Sequence, residues 1–226
     1  GFPVDMAFQR SITGSEGAQI TSRLMQGTSL DTSSTAASYN SASNMFDHPE
    51  GWGAFSGASS QTSWMWRRAP GFFDVVTYEG KAVTGLEVPH SLGVVPEMMW
   101  IKSRGPSNNH WRVYDNINGP TKGLWLNQTY ISSAEPNWWN NTAPTDALFT
   151  LGADSGVNAI NNDYIAYLFA SVPGVSKVGS YTGNGSNDGP EVECGFVPRF
   201  VLIKNIDASG SWYVVDAERG FTKVLS

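Results

Sequence analysis

The stretch WMWRRAPGFFDVVTYEG, residues 64–80, returns in diluted form as YLFASVPGVSKVGSYTG at residues 167–183. Pro70 pairs with Pro173, Gly71 with Gly174, Tyr78 with Tyr181 and Gly80 with Gly183, at a constant offset of 173 − 70 = 103. Each copy runs through an alternating aromatic segment, a Pro-Gly step and a second alternating segment. Alternation of that kind puts successive side chains on opposite faces of a strand, and Pro-Gly turns the chain where the strand would otherwise continue. Self-similarity at a fixed spacing is the signature of a repeat architecture.

Working outward, other blocks recur at nearly the same spacing. VVPEMMWIKSR (94–104) matches FVPRFVLIKNI (196–206), and WRVYD (111–115) matches WYVVD (212–216). At the start of the chain, Pro3 followed by Phe8 resembles Pro96 followed by Ile101, and Leu24 stands as the counterpart of Leu124. Short runs rich in Val, Ile, Trp, Tyr and Phe predict strands at 72–78, 97–102, 111–114, 123–126, 147–151 and 164–170. Clusters of Gly, Pro, Asn and Ser separate them. The expectation is an all-β protein of tandem antiparallel β-sandwich-like units, each about 100 residues long by the spacing of the copies. The first spans 1–71, the second 72–174, and an incomplete third 175–226. In residues 28–63, rich in Ser, Thr and Ala, only MFDHPEGWG reads as ordered, and the rest as a long surface loop or a segment ordered by a neighbouring subunit. Units in tandem would form an elongated rod, each touching mainly its sequence neighbours. Because the chain begins with Gly1 and its third copy stops mid-unit, the sequence reads as processed or as a piece of something longer.

Composition narrows the functions. A formal net charge of −6 and a pI near 5.0 argue against a phosphate-tracking surface, so no nucleic-acid partner is expected. No apolar run approaches the roughly 18 residues of a membrane-spanning helix. The single cysteine, Cys194, excludes an intrachain disulfide.

Catalysis has weak support. No serine stands in a G-x-S-x-G elbow, Cys194 has no neighbouring histidine, and the acids fall in turns, where they ordinarily cap or solvate. NGSNDG (184–189) imitates the front of a calcium loop, but the twelfth position, where a bidentate acid belongs, is Gly195. No catalytic residue, metal site or cofactor is therefore expected.

The contact candidates are aromatic and cationic. Trp138 and Trp139, flanked by Asn140 and Asn141, suit stacking on a sugar ring with amides bonding its hydroxyls, if one indole is exposed; the other reading places both in the core or in a subunit contact. Trp52 joins them from the 28–63 stretch. Arg67 and Arg68 suit an anionic sugar or, alternatively, an ion pair with an aspartate.

Taken as a set, PVDMAFQRSITGSEGA, WMWRRAPGFFDVVTYEG, HSLGVVPEMMWIKSR, WNNTAPT, FTLG, YIAYLFA and GSYTGNGS resemble a repeat domain of unknown function found in tail fibre and other virion-associated proteins of tailed, often marine, bacteriophages. The likeness extends over essentially the whole chain. It implies a virion-surface, extracellular location and a non-enzymatic structural or adhesive role. The implied protein is a homotrimeric fibre that contacts the host surface, through a glycan or otherwise, or another virion protein. A carbohydrate-binding module and a self-assembling filament or capsid decoration subunit are the alternatives.

Overall fold

The computed structural model describes the chain apart from residues 12–16, 42–45, 54–60, 106–108, 221, 223 and 226. It is almost entirely β, in several antiparallel sheets, as the alternating runs predict. The first sheet holds β1 (Met6–Ser11), β2 (Gln19–Ser22), β3 (Thr28–Asp31), β4 (Tyr39–Asn40) and β5 (Gln61–Trp66), in the order β4-β3-β2-β1-β5. The second holds β6 (Phe73–Glu79), β8 (Met98–Ser103), β9 (Arg112–Asp115), β10 (Lys122–Trp125), β11 (Ser133–Ala134) and β13 (Asp163–Phe169), ordered β11-β10-β9-β8-β13-β6. A two-stranded sheet pairs β7 (Leu86–Pro89) with β12 (Leu148–Leu151), and a hairpin pairs β14 (Phe200–Lys204) with β15 (Trp212–Asp216). One turn of 3₁₀ helix (Arg23–Met25) and one turn of α-helix, α1 (Ser155–Asn158), complete the elements.

β8 and β13 are apolar along most of their length because they are covered on both faces. Trp100 and Tyr167, directly opposite each other, enter one core together with Phe8, Ile20, Leu30, Val113, Leu124 and Val214. Their neighbours Met99, Ile101, Ala166 and Leu168 point the other way, into a second core with Trp138, Trp139, Phe149 and Leu151. The first core draws residues from all three stretches of the chain. Burying an aliphatic or aromatic side chain contributes roughly 1.5–3 kcal/mol, so this shared core binds the stretches into one body.

Register repeats between stretches. One rung runs Trp64–Phe8–Ile20–Leu30 across β5, β1, β2 and β3. Another runs Tyr167–Trp100–Val113–Leu124 across β13, β8, β9 and β10. A third runs Leu202–Val214–Leu225. The Pro-Gly turns agree as well. Ala69 bridges Phe73 and Val172 bridges Ser176, each with the same three backbone hydrogen bonds. Gly71 and Gly174 hold φ of 77° and 76°, which is left-handed backbone that disfavours a Cβ.

Four expectations need correction. Phe8 occupies the position of Trp100, not Ile101; a one-residue slip would send its ring to the other face of the sheet. Leu30, not the exposed Leu24, is the counterpart of Leu124. The 28–63 stretch is not one surface loop, since it supplies β3, β4, the buried Phe46 and the start of β5. Nor does each stretch touch mainly its sequence neighbours: Phe200 packs on Phe8, Trp64 and Trp66, with ring centroids 6.4, 5.3 and 5.2 Å apart, which brings the third stretch against the first.

Candidate functional site

Where stretches meet, the same contact is made twice. Trp111, at the head of β9, donates its indole Nε1–H to the carbonyl of Asp31 at the end of β3, at 2.8 Å. Trp212, at the head of β15, donates to the carbonyl of Trp125 at the end of β10, also at 2.8 Å. Lys102 Nζ donates to Thr35 O and Ser103 O, and Lys204 Nζ to Thr129 O and Asn205 O. Ser38 N and Oγ donate to Arg104 O, as Ser132 N and Oγ donate to Ile206 O. In each case the indole and one ammonium bond reach carbonyls of the preceding stretch, and the second ammonium bond stays within its own stretch; the Lys204 bonds are exposed to solvent. Lys102 is fully buried, and that burial, followed by the nearby Arg112 charge, pushes its pKa down to about 8.

A third position of this type is built differently. Arg10 follows Phe8 as Lys102 follows Trp100 and Lys204 follows Leu202, and Ala18 precedes Ile20 as Trp111 precedes Val113. With a methyl in place of an indole, an open cavity of about 380 Å³ remains, lined by Phe8, Trp100, Leu202, Trp212, Arg10 and Ala18 among others.

A family model described as "Domain of unknown function (DUF7483)" matches residues 10–226. The chain belongs to the DUF7483 family. No curated protein and no solved structure matches it.

The tryptophans expected to offer a sugar platform in this DUF7483 chain are core residues. Trp138 is 2% exposed and Trp139 1%. Trp138 meets Trp125 edge-on at 4.9 Å, the Arg112 guanidinium lies 4.4 Å over its ring, and Trp139 donates its indole N–H to Lys122 O. Neither ring has a face for a ligand, so the core alternative holds. Asn140 and Asn141 both take left-handed backbone, φ 53° and 50°, and turn the chain out of the pair. Trp52 is half-buried and stacks on Phe46 at 5.7 Å beside Val4 and Ala7.

Arg68 makes the ion pair, within the chain: its Nε lies 2.7 Å from buried Asp74 Oδ1, and its backbone N donates to Asp5 Oδ2. Arg67 is exposed and forms no ion pair among the described residues. NGSNDG is a turn in which Asn184 Oδ1 accepts from Ser186 N and Ser186 O accepts from Gly189 N. Among the described residues no group of three or more acids, histidines or cysteines could hold a metal ion, and no helix is long and apolar enough to cross a membrane.

Sequence reasoning passed over Arg10, Ala18 and Trp100. The signal was available in the aligned copies, where Lys, Lys and Arg, and Trp, Trp and Ala, stand at matching positions. The one-residue slip at Phe8 concealed it.

Proposed function

We propose that this chain is a non-enzymatic structural and adhesive element of a phage virion, a tail fibre segment built from recurring copies of one unit. The recurrence of the Trp–carbonyl and Lys–carbonyl contact between successive stretches carries the proposal. A chain that grows by repeating one docking contact is organised around assembly, with each stretch presenting to the next the surface it received from the one before. The resemblance of its motifs to virion-associated repeat domains supplies the location, and self-association into a trimer fits the same reading. The deciding experiment is immunogold labelling of purified virions with antiserum against the purified chain. Gold on the tail or its fibres is the expected result; its absence from intact and detergent-opened virions overturns the proposal.

A second reading, a carbohydrate-binding module, is favoured by the aromatic-floored cavity and not by Trp138 and Trp139. Replacing those two would unfold the second core without testing glycan binding.

A further inference from the structure

The three interface positions differ in one respect that points to a ligand. At two of them the cation is engaged, since Lys102 and Lys204 each donate to two carbonyls, and the indole beside it is engaged as well. At the third, among the described residues, Arg10 forms no ion pair and its buried Nε has no hydrogen-bond partner. Burial, and then the nearby Arg219, lowers the Arg10 pKa; Arg219 itself is paired with Asp216 at 2.6 Å. Trp100, 3% exposed, also lines the cavity, and its buried indole Nε1 has no partner among the described residues. An unsatisfied buried donor is costly and calls for an acceptor.

The rest of the lining limits what that acceptor can be. Half-buried Trp212 gives flat apolar surface of the kind that covers the C–H face of a sugar ring, and Phe8 and Trp100, 7% and 3% exposed, complete the apolar wall around it. Thr32, Gln128 and Ser211 add hydroxyl and amide groups able to bond ring hydroxyls. Asn127 Nδ2 and Gln128 Nε2 both meet His110 Nδ1, which holds those amides in place. No carboxylate is among the described lining residues; Asp31, which accepts from Ser33 N and Oγ, stands behind Gly17 and Ser33. The volume of about 380 Å³ lies within the range of small-ligand sites.

We propose that this cavity binds a carboxylate-bearing sugar of the hexuronate class, its carboxylate on Arg10 and its ring against the aromatic floor. The inference deepens the adhesive part of the function proposed above by naming a ligand class and a place. It stands or falls in solution, whether or not virions carry the chain.

The test is titration of the purified chain with glucuronate, followed by tryptophan fluorescence and by the indole N–H signals in an NMR spectrum. Saturable binding in the millimolar range is expected, with the Trp100 indole signal shifting most. Glucose should bind at least tenfold more weakly, and Arg10→Gln should lose at least tenfold in affinity while its circular dichroism spectrum stays that of the parent. Ala18→Trp, which installs the residue found at the other two positions, should fill the cavity and abolish binding without unfolding the chain. The proposal is overturned if glucuronate shows no saturable effect, if acetate binds as well as glucuronate, or if folded Arg10→Gln or Ala18→Trp retains full affinity.

Discussion

Replacing Trp111 by Phe removes one hydrogen bond and part of one ring from the contact between the first two stretches. Trp111 is fully buried, and its indole N–H is the donor to Asp31 O at 2.8 Å. Phe leaves that carbonyl without its donor, at about 1–3 kcal/mol, and the smaller ring leaves a gap that adds roughly 1 kcal/mol. The expected loss is therefore about 2–4 kcal/mol. Trp212→Phe makes the same chemical change at the matching contact, where the side chain is only half-buried. It should cost less, about 1 kcal/mol. Urea denaturation followed by circular dichroism measures both, with unchanged m-values showing that the midpoint shift reports stability. A Trp111→Phe loss below about 0.5 kcal/mol, within the range of ordinary surface substitutions, would refute the reasoning, as would a larger loss for Trp212→Phe.

Other expectations rest on separate features. In Gly123→Ala the new Cβ would stand 2.4 Å from two ring carbons of buried Trp138, so a loss of about 1–3 kcal/mol is expected in the same denaturation assay. Gly71→Ala and Gly174→Ala meet no atom within 4 Å, so each should lose only the conformational cost of left-handed backbone, about 1–2 kcal/mol, and the two losses should agree. Lys102 gives a pH signature. Its folded pKa of about 8 lies below its ordinary value of 10.5, so between those values the unfolded chain binds more protons and stability rises with pH. Melting temperatures from pH 8 to 9.5 should show that rise in the parent and a much smaller one in Lys102→Met. The window stops short of pH 10, because Tyr78 and Tyr167, held protonated by burial, work in the opposite direction above it.

Local pattern was enough to find six of the eight strands described in the second stretch, β7 and β11 being missed. The runs at 72–78, 97–102, 111–114, 123–126, 147–151 and 164–170 lie within about a residue of β6, β8, β9, β10, β12 and β13, because each is a short β-branched or aromatic run closed by turn residues. What sequence pattern does not encode is which face a segment buries. Trp138 and Trp139 sit among asparagines in a stretch with no strand period, and their burial follows from β8, β9 and β10 presenting an apolar floor to a turn that Asn140 and Asn141 close in left-handed backbone. The softness of 28–63 misled for a related reason. Thr32 and Ser38 in it are satisfied by distant backbone, the carbonyls of Ala18 and Arg104, and only tertiary structure reveals such partners. The cavity was hidden because its key residue, Ala18, is a methyl whose meaning comes from the tryptophans at matching positions.

The account turns on one docking contact used twice, and hydrogen exchange of the tryptophan indole N–H groups, assigned by Trp111→Phe and Trp212→Phe, measures it most directly. The Trp111 and Trp212 indoles should exchange slowly and together, with protection that disappears only in the global unfolding transition. Rapid exchange at either indole in the folded chain, or opening of Trp212 well below that transition, would contradict it.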